Sequence, residues 1–499
     1  MTRETEILES SQIQSSSLLD YLQLLISFRG PITVAEYMNH ALLHPEFGYY
    51  TQDQSKGGAV FGKDHDFTTA PEISQMFSEL LGIWVIHTAM NLGFERFHLV
   101  EIGPGRGTLM EDVVRTISQF SHVSEKLEVI HLVERSASLR KLQKEKIQWP
   151  DVQWHETFSE IPGDVPCIVL AQELFDALPV HQFELTEHGW CERLVDILES
   201  VEDVKETEEA EDNVNRGEKR GNQKGKEKEK DKEKERDNIV EETNRVHLEL
   251  NLPNTSLNSV DTRENELGED EGDPLRFVLS PAPTNASRVY VRMFNPIPVK
   301  PIEGDKDQIS SEAKEVSEEV SEESTDEKIV VDEEAIGSRL EVSPAGCALA
   351  QDIALRISTH GGAALFVDYG KDRASGDSLR GIQNHKFVSP LQNPGRVDLS
   401  IDVDFASLKA AVLALKIDGL NVYGTVGQGD FLKRLGIETR LHALLQTNIT
   451  EEQAEALYLA YHRLTDPDEM GTVYRAMSMV SMPEGNEEIS YEHSPPAGF

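Results

Sequence analysis

The stretch "HLVEIGPGRGTLMEDVV", residues 98–114, holds the densest group of residues able to do chemistry. A short apolar run ends at Glu101–Ile102, Gly103, Gly105 and Gly107 follow at alternate positions, and a helical pattern begins near Thr108. Glycines at i, i+2 and i+4 leave backbone without side chains, so a flat or extended ligand can lie directly against it. The helix start adds unpaired N–H groups and a partial positive charge. A pyrophosphate-binding turn wants G-x-G-x-x-G. Here the spacing is G-x-G-x-G, with an acid two residues before the first glycine and Arg106 inside the turn.

That form, E-x-G-x-G-x-G, resembles the first motif of S-adenosylmethionine (SAM)-dependent methyltransferases, whose ligand joins an amino-acid end to an adenosine. On that reading Glu101 holds the ligand's amino group, directly or through water. Glu134, ending the next apolar run in "LVERS", accepts hydrogen bonds from both ribose hydroxyls. Glu156 in "WHETF" follows the third run, near where the adenine should lie. A turn that binds nothing would explain one of the glycines, but not the whole arrangement.

Beyond a fourth run, "CIVLAQELFDALPVHQF" carries Glu173 and Asp176. In open α/β sheets ligands sit at the carboxyl ends of the strands. Two carboxylates three residues apart there suit a cationic acceptor, and a guanidinium best, because its planar fork makes paired hydrogen bonds to carboxylates. The alternative carries equal weight: Asp176 caps a helix and Glu173 is a polar loop residue.

The elements that must position these residues alternate regularly. Strand-like runs at 97–103, 127–134, 152–158, 167–173 and 362–370 are separated by helical patterns such as "TLMEDVVRTISQF" and "ASLRKLQKEKI". Such alternation reads as βαβ units and a parallel sheet, buried on both faces. Before it, residues 17–42 have helical periodicity, and "PEISQMFSELLGIWVIHTAM" (71–90) reads as one helix with Pro71 in its first turn.

Composition sets limits on the rest. The formal charge of −41 opposes a nucleic-acid or anionic-membrane binder. Half of that excess lies in two windows, with 24 acids against 14 bases at 201–280 and 14 against 4 at 301–340. Runs such as "EKRGNQKGKEKEKDKEKER" hold no apolar residue and read as disordered inserts. Cys167, Cys191 and Cys347 are too few for a disulfide framework or zinc cluster. His40, His44, His87 and His98 lack metal-ligand spacing and are expected at the surface or as caps, so no metal site is expected. Membrane insertion is not expected, since no run approaches the ~20 apolar residues of a bilayer span. The N-terminus has early acids, Glu4 and Glu6, and no secretory or basic transit pattern.

Several stretches together, "GPITVAEYMNHALLHPEFGYY", "DFTTAPEISQMFSELLGIW", "VEIGPGRGTLMEDV", "AQELFDALPVHQF", "NPGRVDLSIDVDF" and "DPDEMGTVYRAM", closely resemble the MidA-type proteins. These are SAM-dependent arginine methyltransferases that assist assembly of mitochondrial complex I. The resemblance covers about 30–200 and 340–480. It implies an α/β class I, Rossmann-like methyltransferase fold with a mostly parallel seven-stranded sheet, helices on both faces and an N-terminal helical part. It implies SAM as methyl donor, an arginine of the 49-kDa-type complex I subunit as protein substrate, symmetric ω-dimethylarginine as product, and a mitochondrial location, with a cytoplasmic one as alternative. Carried over, Gly103, Gly105 and Gly107 form the SAM loop, Glu134 the ribose ligand, and Thr68, Thr69 and Glu72 part of a loop closing over the site. Glu173 and Asp176 remain inferred for the guanidinium.

The expected organisation is a tail (1–29), a helical part (30–96), the first half of the core (97–200), a charged insert (201–273), an ordered segment (274–303), an acidic insert (304–335), the second half (336–482) and a C-terminal tail (483–499). Oligomeric state is open, with a homodimer as one option. Two other functions compete: an assembly chaperone keeping the fold without catalysis, and an NAD-type dehydrogenase, disfavoured by the glycine spacing.

Overall fold

The computed structural model describes residues 16–51, 69–198, 273–294, 335–482 and 495–499. Thr68 and nearly all of both expected inserts lie outside the described residues. The described elements belong to one compact unit.

The periodic N-terminal region is not one helix. It forms α1 (Leu18–Arg29) and α2 (Val34–Leu43). Gly30, at φ +80°, ends α1, and Thr33 starts α2 with a reciprocal capping box to Glu36. The next expected helix is also divided, into α3 (Ala70–Ile73) and α4 (Gln75–Asn91). Ser74 is extended at the break, and its hydroxyl accepts from the Met76 N–H, so a hydroxyl able to cap has interrupted an otherwise apolar pattern. The short α3 is thereby freed to turn toward the site.

The expected strands all form: β1 (Phe97–Ile102), β2 (Leu127–Val133), β3 (Val152–His155), β4 (Cys167–Gln172) and β5 (Gly362–Lys371). Two more, β6 (Leu420–Gly427) and β7 (Tyr474–Ser481), complete the path 3-2-1-4-5-7-6. The first five are mutually parallel, and β7 runs antiparallel between β5 and β6. This is the class I methyltransferase topology expected from the sequence. A two-residue strand, Val403–Asp404, adds to the end of β5.

Alternate residues of each strand feed opposite layers. Leu99, Ile130, Leu132, Leu170 and Leu365 pack with α4 and α5 (Thr108–Ile117) on one face. Val100, Ile102, Val133, Val169 and Phe366 pack with α7 (Pro344–His360) and α8 (Phe405–Leu413) on the other, α6 (Ala137–Lys146) lying between β2 and β3 in the chain. Burial of each large side chain contributes about 1.5–3 kcal/mol. A separate antiparallel sheet, holding Ile32–Thr33, His181–Thr186, Gly189–Ile197, Leu275–Leu279 and Arg339–Val342, packs with α1 and α2 through Leu22, Tyr37 and Met38. No described helix is long and apolar enough to cross a membrane.

One buried acid ties the helical layer together. Glu79 of α4, 6% exposed, accepts from Arg115 of α5 at 2.9 Å and from Arg440 at 2.7 and 2.9 Å. Both arginine side chains keep access to water, at 47% and 39% exposure, so the loss is that of the charged hydrogen bonds across the layer and not of a fully buried pair. Glu79→Ala is expected to lower stability by about 1–2 kcal/mol, read as a lower urea midpoint with an unchanged slope.

Candidate functional site

Glu101, Glu134, Glu173, Asp176 and Asp368 all lie at the carboxyl edge of the central strands or in the turns just beyond. Parallel pairing in register brings residues distant in sequence to one rim. The site has two halves.

In the glycine-loop half, Gly103, Gly105 and Gly107 have φ of +70°, +50° and +77°, a region unfavourable to other residues. A Cβ at Gly103 would meet Leu174 Cδ1 at 2.9 Å, and one at Gly107 would meet Gln143 Cγ at 3.2 Å. These two glycines therefore serve the folding of the loop against its own neighbours as well as any ligand. Glu101 is 2% exposed, and its Oε2 has no hydrogen-bond partner among the described residues. Burial, reinforced by Glu134, pushes its carboxyl up to about 8. A buried acceptor left open is costly unless a donor arrives from outside.

Glu134 receives the Ser136 N–H at 2.8 Å and Gln143 Nε2 at 3.3 Å, and burial raises its pKa. Gln143 is a residue that pattern reading missed. Fully buried on the otherwise charged α6, it also donates to the Gly105 carbonyl at 2.6 Å and accepts from Trp154 Nε1 at 2.8 Å. It locks the glycine loop to the acid that follows β2. Its only sequence signal was an uncharged amide in "RKLQKEK". Glu156 is exposed beyond β3, and its backbone N–H donates to Glu160 at 3.0 Å.

In the other half, Asp368 organises the turn after β4. Its Oδ2 accepts the N–H groups of Leu174 at 3.0 Å and Phe175 at 2.8 Å, and its Oδ1 that of Tyr369 at 2.9 Å. This geometry makes Asp368 a cap for the turn and for its own strand end. The turn carries Glu173 at φ +49°. Glu173 Oε1 accepts from the Ala70 N–H at 3.0 Å and from Gln172 Nε2 at 2.9 Å, while Oε2 is buried without a partner among the described residues. Burial pushes this carboxyl up to about 8, with repulsion from Asp176 adding to it.

Asp176 is buried, which raises its carboxyl to about 6. Its Oδ2 accepts from Ser400 Oγ at 2.9 Å, and Ser400 in turn bonds the Tyr369 hydroxyl. Arg380 stacks 4.6 Å over the Tyr369 ring and binds Asp402 at 2.8 Å, so Asp402 is an ion-pair partner, whereas Asp404 caps α8. Glu72 of α3 also has a buried Oε2 without a partner among the described residues. Thr69 is the residue before α3 and makes no side-chain cap bond.

The histidine expectation needs correction. His98 is buried, and its Nδ1 lies 3.0 Å from His131 Nε2, while His131 Nδ1 lies 2.9 Å from His155 Nε2. Desolvation holds His131 down at about 3, so it stays neutral. The three rings chain across the adjacent strands β1, β2 and β3, and no metal-holding group of His, Cys, Asp and Glu occurs among the described residues.

A class I methyltransferase fold, an open buried acid before a glycine loop and a second acid after the next strand define a SAM-dependent methyltransferase. A family model described as "Putative S-adenosyl-L-methionine-dependent methyltransferase" matches residues 80–426, more than half of the chain, and the chain belongs to this family. Among curated relatives, zebrafish (Danio rerio) "Protein arginine methyltransferase NDUFAF7, mitochondrial" is 30% identical, over 98% of this chain and 94% of its own length. The human protein of the same name is 28% identical, covering 95% and 85%, and the Drosophila melanogaster homolog 30%, covering 94% and 86%. A Burkholderia thailandensis protein crystallised with S-adenosyl-homocysteine (SAH) shares the fold, with a TM-score of 0.60 at 20% identity over 94% of this chain and 92% of its own.

The residues present fit the family's cofactor. Glu101 offers a buried acceptor for an amino group, and Glu134 offers oxygens whose present donors leave lone pairs for hydroxyls. Glu101→Gln should weaken SAH binding by on the order of 10–100-fold in calorimetry, the loss expected for one charged hydrogen bond. The unliganded variant should also be the more stable. The folded carboxyl stays neutral to about 8 while the unfolded one ionises near its ordinary value, so wild type loses stability between these pH values. The melting-temperature advantage of Glu101→Gln should therefore grow from pH 5 to pH 8.

Proposed function

We propose that this chain methylates an arginine of a protein substrate, the 49-kDa-type complex I subunit, in mitochondria, with symmetric ω-dimethylarginine as product and complex I assembly as the process served. The single observation behind it is the acid-rich, water-excluded rim beside the glycine loop, where Glu173 keeps a buried oxygen open. Such a rim disfavours anions and selects a cation with several donors. The names of the relatives supply the class of that cation and the compartment.

SAM, when bound, supplies an electrophilic methyl on its sulfonium. Everything else falls to the chain. Glu101 holds the amino group, Glu134 the ribose hydroxyls, and Gln143 keeps both supports in register. Thr69 and α3 bring the N-terminal part against Glu173 through the Ala70 N–H, which helps exclude water. Glu156, at the end of β3, lies on the adenine side. Glu173 grips and orients the guanidinium, and Asp176, tethered through Ser400, holds the floor beneath it. A guanidinium has a pKa above ~12 and loses its proton only as it reacts, so positioning and electrostatics outweigh base strength.

Methyl transfer from labelled SAM to the recombinant 49-kDa-type subunit, followed by mass-spectrometric mapping, tests the reading. Label on arginine is expected, and its absence from a SAH-binding protein would leave the assembly-chaperone alternative. Because the Glu173 carboxyl must ionise to hold a guanidinium, kcat/KM for the protein substrate should rise with pH and level off above about 8. Glu173→Gln should lower kcat/KM on the order of 100-fold and flatten that rise.

A further inference from the structure

Three side-chain oxygens around the turn after β4 are buried and have no partner among the described residues: Glu72 Oε2, Gln172 Oε1 and Glu173 Oε2. Two belong to carboxylates, and paired acids alone do not define a site. Gln172 supplies the independent observation. It is 7% exposed, and its Nε2 donates to Glu173 Oε1 at 2.9 Å. The Ala70 N–H already uses Glu173 Oε1 as an acceptor, and the ionised Glu173 that receives a guanidinium is acceptor-only, so in that state the amide nitrogen of Gln172 faces it. The carbonyl oxygen of Gln172 then has no partner among the described residues.

α3 reaches the same place from the opposite side. The Ala70 N–H donates to the same Glu173 oxygen at 3.0 Å, and Glu72 stands two residues further along that single turn. Glu72 also contributes repulsion that raises the Glu173 carboxyl. Asp176, by contrast, spends Oδ2 on Ser400.

We infer that Glu72, Gln172 and Glu173 form one acceptor set for the substrate guanidinium, one element contributing from each side of the rim. A guanidinium spreads five N–H donors over a rigid plane and has no acceptor, which suits acceptors contributed by two separate elements, whereas the three donors of an ammonium radiate from one point and a neutral amide has only two. Glu72 is thus a specificity residue for the arginine and not a cofactor ligand. Asp176 is a positioning residue that acts through Ser400 and the backbone of the turn. This assignment rests on the arginine reading above.

The test uses the full chain with Glu72→Gln, Gln172→Leu and Asp176→Asn. KM and kcat are measured for the recombinant 49-kDa-type subunit, with SAH affinity measured by calorimetry. Glu72→Gln and Gln172→Leu should each raise the protein KM about 10-fold or more while SAH affinity stays within about twofold. Glu72→Asp should recover part of the loss. Asp176→Asn should lower the melting temperature more than it raises KM. An unchanged KM in Glu72→Gln, with wild type methylating arginine, overturns this assignment alone. A parallel fall in SAH affinity also overturns it, returning Glu72 to the cofactor. Absence of arginine methylation by SAH-binding wild type overturns both this assignment and the reading beneath it.

Discussion

Keeping carboxyl groups out of water without a cation beside them is the constraint on which this molecule is arranged. Glu101, Glu173 and Asp368 sit at or just past the carboxyl edge of a parallel sheet, each with its pKa pushed up by burial. Desolvating even one such group costs several kcal/mol if it stays charged. The fold tolerates them in two ways. Asp368 is supplied with three backbone N–H groups from its own rim. Glu101 and Glu173 instead carry oxygens that have no partner among the described residues and are open to a visiting donor.

That division separates scaffold from site. Asp368 bonds residues 193 and 194 positions earlier, so the second half of the core shapes the turn that ends the first half. Ser400 does the same for Asp176 across 224 positions. The described contacts that shape this turn are thus made between β4, β5 and the Asp398–Ser400 strand, elements far apart in the chain. The N-terminal part reaches the arrangement through the Ala70 N–H, delivered to Glu173 by a helix four residues long, and through the Tyr50 hydroxyl, which donates to Asp398 at 2.8 Å.

What was legible in the sequence was local. Apolar runs of five to ten residues gave β1 to β5 within a few residues of their ends, since buried parallel strands need no alternation. Gly103, Gly105, Gly107 and Glu101 were legible because one strand–turn–helix unit carries them, and Glu134 because it ends the next apolar run. Ser74 and Gly30 were not read as breaks, because the apolar periodicity continues across both. Gln143, Gln172 and the Asp368 contacts were invisible for a different reason. Their roles depend on which strands become neighbours, and no spacing along the chain records that. His98 was misplaced on the same account, as its partner His131 comes from the neighbouring strand β2 and is itself held by His155 of β3.

The central claim is that Glu101 is held neutral and open until a ligand amino group arrives, and proton exchange tests it most directly. Calorimetric titration with SAH at pH 7, in two buffers of different ionisation enthalpy, counts the protons exchanged on binding. With a carboxyl at about 8 when empty, binding of a cationic amino group should release about one proton, and Glu101→Gln should abolish that release. Tight binding with no proton released by wild type, or release unchanged in the variant, would contradict the account.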